Sequence, residues 1–284
     1  MQKYADDFAV LILTHGRPDT IHTLDTLKRG NYSGKWYLVI DNEDKQAERY
    51  YEKYGKERVI MFDKLAVSKT FDTADLSQER RAIVYARNAC FQIAKDLNLK
   101  YFVEFDDDYT SIGIRYPKDG KLSQLSCENL DEIFELMVDF LLETDALTVC
   151  MSQGGDHMGG LTGRWKKSIL RKAMNSFFCR TDRPFQFLGR VNEDVNTYTL
   201  LGSQGHLMMT VTDLMLNQMQ TQSNAGGMTD LYLDGGTYLK SFYTVLYMPS
   251  AVTVQPMGTA HKRLHHKVDW KYCVPLIIDE RHKK

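Results

Sequence analysis

Asp106-Asp107-Asp108 follows the apolar stretch YFVEF at Tyr101 to Phe105. Three adjacent carboxylates repel one another unless a positive charge sits among them. On extended chain Asp106 and Asp108 point the same way and Asp107 points elsewhere, so the outer two can hold a divalent cation. Oxygen-only ligands suit Mg2+ or Mn2+, which complete their shells with water and substrate phosphates. The competing reading is a helix cap plus surface acids at a strand exit. A second acid pair, Glu193-Asp194, has two readings. One is a general base for a hydroxyl, the other a pair of helix N-terminal acids favourable to the dipole. A third candidate is basic: Arg164 to Arg190 carries eight Lys/Arg against one acid, Asp182, interleaved with Trp165, Phe177, Phe178, Phe185 and Phe187. Basic residues meet phosphates, and aromatic faces stack on unpaired bases at about 1–3 kcal/mol each. The alternative is that the aromatics are core and the charges are solvated.

These groups need elements to position them. Phe8 to Leu13 (FAVLIL) and Trp36 to Ile40 (WYLVI) are continuous apolar runs, the pattern of strands buried on both faces. Val59 to Phe62, Tyr101 to Phe105 and Ala146 to Met151 add further strands. Helical spacing occupies Thr20 to Arg29, Lys45 to Tyr54, Gln78 to Leu97 and Asn129 to Leu142. Strands separated by helices predict an α/β fold with a mainly parallel central sheet. Ligands of such sheets bind beyond the carboxyl ends of the strands. That rule selects Thr14 to Asp19, Asp41-Asn42 and Asp106 to Asp108 as one rim. No segment there reads GxGxxG or as a Walker loop, which disfavours the usual dinucleotide and P-loop sites. The second half is less regular. Met151 to Gly163 is a glycine-rich loop, Asn192 to Leu201 a short helix, and Asn217 to Gly227 polar and turn-like. His206 to Val211, Tyr243 to Met248 and Ala251 to Val254 are strand candidates. No repeat or linker divides the chain, so one domain is expected, whose second half (153–284) elaborates the sheet of the first (1–152).

Composition bounds the class. With 284 residues, 43% hydrophobic and 26% charged, the chain is an ordinary globular protein rather than a disordered or disulfide-stapled one. No apolar run spans a bilayer, and acids stand where a signal peptide carries its basic region. The five cysteines include no CxxC pair and read as reduced thiols of a cytoplasmic protein. The net charge of −1 conceals an asymmetry. Tyr101 to Asp145 holds twelve acids against three Lys/Arg, while Met257 to Lys284 holds seven Lys/Arg against three acids.

Several segments, in order, resemble the GT-A glycosyltransferases, especially inverting family 2. AVLILTHGRPDT is similar to the opening strand and loop, VIDNED to the second-strand acid, YARNAC to the ARNxG helix and FVEFDDD to the DxD motif. GRVNEDVNTYTLLGSQG resembles the ED motif. The resemblance spans roughly residues 8 to 205, with Cys90 departing from the usual glycine neighbourhood and no clear QxxRW segment. The chain further resembles compact viral glycosyltransferases that modify nucleic-acid bases, including the group associated with TET/JBP-type dioxygenases.

The resemblance implies a metal-dependent inverting transfer of a sugar from a UDP-sugar. Thr14, Arg17 and Asp41 would hold the uridine, and Arg87 would approach the donor with Asn88 beside it. Asp106 and Asp108 would bind Mn2+ or Mg2+, with His261 as a further ligand and His265 or His266 as alternatives. Asp194, or else Glu193, would be the base. The implied acceptor is a hydroxymethylated pyrimidine in DNA, met by Arg164, Trp165, Lys166, Lys167 and Arg190, in a bacteriophage protein acting in the host cytoplasm. A protein or glycan acceptor, or a nonenzymatic nucleic-acid-binding module on the same frame, are the alternatives.

Overall fold

Every residue from Phe8 to Leu13 is buried, because the strand they form is covered on both faces. The computed structural model describes residues 3–75, 78, 80–163, 165, 170–219, 239–257 and 263–275. The strands are β1 (Phe8–Leu13), β2 (Lys35–Asp41), β3 (Val59–Phe62), β4 (Tyr101–Asp106), β5 (Tyr109–Lys118), β6 (Lys121–Ser126), β7 (Thr148–Ser152), β8 (Ser176–Arg180), β9 (Met208–Gln218), β10 (Val252–Met257) and β11 (Arg263–Val268). The α-helices are α1 (His22–Arg29), α2 (Ala47–Tyr54), α3 (Lys64–Ser68), α4 (Val84–Asp96), α5 (Leu130–Thr144) and α6 (Glu193–Ser203).

One sheet runs in the order β3-β2-β1-β4-β8-β7-β9-β5-β6, and β10 pairs separately with β11. β3, β2, β1 and β4 are mutually parallel. β8 enters antiparallel to β4 and β7, β9 lies parallel to β7, and β5 runs antiparallel to β9 and β6. All strands of the nine-stranded sheet except β8 and β5 therefore point the same way, and the α/β architecture is the expected one.

Alternation along β1 sends its side chains to two cores. Phe8, Val10 and Ile12 pack with Leu27 of α1, Tyr50 of α2, and Phe134 and Leu141 of α5. Ala9, Leu11 and Leu13 pack with Ala89 and Ile93 of α4 and Val195 and Tyr198 of α6. Both faces being apolar and covered, the rim of the sheet is left for polar chemistry. α5 shows how the sequence delimits a helix: the Asn129 side chain accepts from Glu132 N–H at its start, and Asp145 adopts a left-handed conformation at its end. Behind α6, a Cβ on Gly202 would lie 2.0 Å from the Cys273 carbonyl oxygen. Glycine thus lets residues 270–273 close against the helix, and Trp270 stacks on Tyr198 at 5.5 Å.

Several elements depart from the sequence reading. The hairpin β5–β6 and the strand β8 carry too many polar or basic residues to read as strands. The segment read as a strand at Tyr243 to Met248 belongs to a helix over 239–247. Its aromatic and β-branched residues favour strands locally, but Tyr243 and Thr244 are buried along a helical face instead. The helical pattern from Gln78 shortens to α4, which starts at Val84. The strand read at His206 to Val211 extends to Gln218. All five cysteines are buried and unbridged, and no described helix is long and apolar enough to cross a membrane.

Candidate active site

The acid triplet does not continue β4. Asp106 is the last residue of that strand, Asp107 and Asp108 form a tight turn, and β5 begins at Tyr109. Side-chain alternation therefore stops at Asp106, and each carboxylate takes its own direction. α1 braces the turn. Thr23 Oγ1 donates to the Asp106 carbonyl at 2.6 Å, Thr23 N–H donates to the Asp107 carbonyl, and Tyr109 N–H donates to Thr23 Oγ1. Met219 N–H donates to the Asp108 carbonyl at 3.1 Å. A turn pinned on two sides holds like charges close together at a fixed spacing.

The loop after β1 neutralises the middle acid. Thr14 Oγ1 donates to Asp107 Oδ2 at 2.6 Å, and Arg17 Nη2 lies 3.0 Å from Asp107 Oδ1. Burial raises the Asp107 carboxyl above its usual range, with Arg17 and Thr14 opposing the shift. Asp108 has less help, from the Arg17 charge and a backbone hydrogen bond. Its Oδ1 is buried and has no hydrogen-bond partner among the described residues. Burial, then Asp106 and Asp107, push its carboxyl up to about 7. An orphaned buried carboxylate oxygen beside a second acid fits an oxygen-liking divalent cation. Asp106 and Asp108 are the two acids expected to hold such a cation. No cluster of three ligands exists among the described residues. His261 lies outside them. His265 and His266 stand on β11 with ring centroids 4.2 Å apart, and His266 Nδ1 is 3.4 Å from Asn192 Nδ2.

Arg87 differs from its expected role. It is 2% exposed, within α4, and spent on three carboxylates rather than presented outward. Its guanidinium reaches Asp106 at 2.9 Å, Glu193 at 3.2 Å and Glu104 at 3.5 Å, beneath the ring of Phe177 at 5.1 Å. Burial alone would weaken its charge, but Asp106, Glu193 and Glu104 together raise its pKa further. Asn88 is likewise engaged internally. It donates to the Phe187 carbonyl at 3.0 Å and accepts from Phe187 N–H at 2.8 Å, tying a loop to α4. Glu104 is fully buried with Oε1 unpartnered, and burial pushes its carboxyl up to about 8 despite Arg87.

Glu193 and Asp194 open α6, where the dipole favours negative charge. The residue before them, Asn192, has a left-handed backbone that its amide side chain tolerates, and donates to the Lys240 carbonyl at 2.7 Å. Glu193 is clamped by Arg87, whereas Asp194 accepts from Val195 N–H at 2.8 Å and makes no ion pair among the described residues. Burial raises both carboxyls. Asp194 adds to the rise in Glu193, while Arg87, Lys240 and Lys172 oppose the rise in Asp194. A carboxyl pair poised toward neutrality suits proton transfer.

At the β2 end, Asp41 is 4% exposed. Its Oδ2 meets His15 Nδ1 at 2.7 Å and Lys64 Nζ at 3.2 Å, and its Oδ1 accepts from Glu43 N–H at 3.1 Å. Burial would raise its pKa, but the His15 hydrogen bond and the Lys64 charge hold it below the usual value. Gly16 has φ +72°, a conformation that favours glycine, and its N–H donates to Asp44 at 2.7 Å. Sequence reasoning did not single out His15, Lys64, Glu104 or Thr23. A lysine and a glutamate at positions demanding burial were the available signals.

The basic stretch is corrected most. Trp165, Phe177, Phe178, Phe185 and Phe187 are all buried, so they are core rather than stacking platforms. Trp165 donates its ring N–H to the Thr212 carbonyl at 3.2 Å. Arg190 is buried, 2.9 Å from Asp75, instead of facing solvent. Arg164, Lys166 and Lys167 lie outside the described residues.

A family model described as TET-Associated Glycosyltransferase matches residues 8–227 of the chain. No curated protein matches it. Among solved structures, glucosyl-3-phosphoglycerate synthase from Mycobacterium tuberculosis in complex with Mn2+ and UDP-glucose is similar at 10% identity and a TM-score of 0.46, covering 92% of this chain and 86% of that one. The same synthase with Mg2+ and UDP aligns at 11% identity and a TM-score of 0.44, covering 92% of this chain and 87% of that one.

Proposed function

The chain belongs to the TET-associated glycosyltransferase family, and we propose that it moves a sugar from a UDP-sugar to a hydroxymethylated pyrimidine in DNA, in one inverting displacement. The observation that carries this reading is the reach of one guanidinium. Arg87 bridges Asp106 at the end of β4 and Glu193 at the start of α6, so a cation-suited acid cluster and a base-suited acid pair belong to a single site. In this reading Asp106 and Asp108 hold Mn2+ or Mg2+. When bound, that cation supplies positive charge against the diphosphate that leaves with the nucleotide.

The remaining work falls to the chain. Arg17 and Thr14 hold Asp107 back, so that Asp106 and Asp108 keep their positions. Arg87 fixes Glu193, which leaves Asp194 as the carboxylate able to take the proton from an acceptor hydroxyl. One base and one leaving group give inversion at the sugar carbon. Lys172 and Lys240, whose charges act on Asp194, together with Arg164, Lys166 and Lys167, are the cations proposed to meet acceptor phosphates. A duplex base must leave its stack to reach a base residue this buried, at a cost of a few kcal/mol. With the aromatics of the basic stretch in the core, acceptor binding rests on charge rather than stacking.

Two measurements test the reading. UDP release from UDP-glucose should require Mn2+ or Mg2+ and should stop with EDTA. Binding of hydroxymethylated DNA should weaken steeply with salt. Metal-dependent UDP release with a flat salt response would move the acceptor from DNA to a protein or glycan.

A further inference from the structure

His15 stands where the rim leaves a nucleotide's uncharged end. The sheet order β3-β2-β1-β4 sets the end of β2 two strands from the acids of β4, about 10 Å at the usual strand spacing of roughly 4.8 Å. In the donor reading, a diphosphate held at Asp106 and Asp108 lays its nucleoside over the β1 and β2 loops. At that end Asp41 is paired with Lys64 and Glu43 with Arg80, so the local charges are matched and the place suits a neutral base. Asp41 itself is poorly placed to read a base. Its side chain is 5% exposed, one oxygen is shared between His15 and Lys64, and the other accepts from Glu43 N–H. His15 is the opposite case. Its side chain is 43% exposed, and its ring orientation is fixed through Nδ1 at 2.7 Å from Asp41.

We infer that His15, rather than Asp41, makes the nucleobase contact, with Asp41 and Lys64 acting through it as positioning residues. The inference rests on the donor reading proposed above. A carboxylate accepts, so His15 Nδ1 carries the proton and donates. With Nδ1 turned to Asp41, Nε2 is the ring atom left to meet a base, and in the Nδ1–H tautomer it is an acceptor. That acceptor matches the N3–H of uracil and faces the lone pair of cytosine N3, which repels it. Lys64, buried at 6% side-chain exposure and 3.2 Å from Asp41, keeps Asp41 an acceptor and so keeps the ring in that tautomer.

Calorimetric titration of the full chain with UDP and with CDP, in Mn2+, tests this directly. Wild-type protein should prefer UDP. His15→Ala should lose about tenfold in UDP affinity with CDP little changed, the loss of one neutral hydrogen bond, so that discrimination collapses. In turnover, the UDP-sugar KM should rise with kcat nearly constant. A melting curve matching wild type keeps the comparison fair, and 15N-labelled imidazole gives a second readout, because the His15 Nε2 resonance should move when UDP is added to the wild type. Unchanged UDP-to-CDP preference in His15→Ala, or an Nε2 resonance unmoved by UDP, overturns the assignment alone. A wild-type protein that binds neither nucleotide overturns the donor reading and the assignment with it.

Discussion

The turn after β4 and the first turn of α6 each bury adjacent carboxylates, yet they handle the repulsion differently. In the turn, Asp107 is neutralised by Arg17 and Asp106 by Arg87, which leaves Asp108 with a buried oxygen and no partner among the described residues. In the helix, Glu193 takes the Arg87 guanidinium, while Asp194 has the Val195 N–H, the helix dipole and the more distant charges of Arg87, Lys240 and Lys172. In the proposed reading each region keeps one working member with no ion pair among the described residues, Asp108 or Asp194, and Asp106 joins Asp108 at the cation while paired with Arg87. The working member of the turn has a buried oxygen without an internal donor, which suits an external cation. The working member of the helix has a weak internal donor, which suits a group that must gain and lose a proton.

Substitution can break that division. The largest effect is expected at the helix. Asp194→Asn should lower kcat by about 10²–10⁴ with thermal stability kept, whereas Glu193→Gln should weaken the Arg87 pair and lower stability more than Asp194→Asn does. Steady-state kinetics and melting curves on the same preparations separate the two. Next comes the shared cation. Arg87→Met leaves Glu104, Asp106 and Glu193 without their common partner and should cost about 3–5 kcal/mol in urea denaturation, with Arg87→Lys recovering part of it. Within the turn, Asp107→Asn should cost about 1–3 kcal/mol through the lost Arg17 pair. Asp108→Asn should change stability by less than about 0.5 kcal/mol, or raise it, while abolishing metal-dependent nucleotide binding. Equal losses from the two would erase the distinction between anchor and working acid.

The smallest expected effect is a pH slope. Folded Glu104 keeps its proton up to about 8, while the unfolded chain releases it near the ordinary glutamate value. Between those values the folded state binds more protons, so this contribution to stability is full at low pH and is lost as pH rises toward 8. Melting temperatures of metal-free protein should fall across that window, and Glu104→Gln should flatten the fall.

How legible the molecule was depended on whether a residue's type announced its environment. β1, β2 and β4 were readable because strands covered on both faces leave unbroken apolar runs. The acids of the triplet and of Glu193-Asp194 were readable because adjacent carboxylates are costly. Arg87 was visible as part of YARNAC, but its burial was not, since nothing local says that three carboxylates from β4 and α6 converge on it. The aromatics between Arg164 and Arg190 carried the opposite ambiguity. Interleaved with basic residues they look like a nucleic-acid surface, and only the packing of β8 and the following loop against α4 assigns them to the core. His15 and Lys64 meet on Asp41 from β1, β2 and the segment after β3, a meeting that spacing along the chain does not encode.

Whether the two acid regions form one sugar-transfer site is decided by incubating the protein with UDP-glucose, Mn2+ and duplex DNA containing 5-hydroxymethylpyrimidines, digesting the DNA and weighing the nucleosides. One added hexose on the modified base is expected, lost with EDTA, with Asp108→Asn and with Asp194→Asn. A hexose gain that survives both substitutions, or no gain and no UDP release from the wild type with any nucleotide sugar, would contradict a single sugar-transfer site.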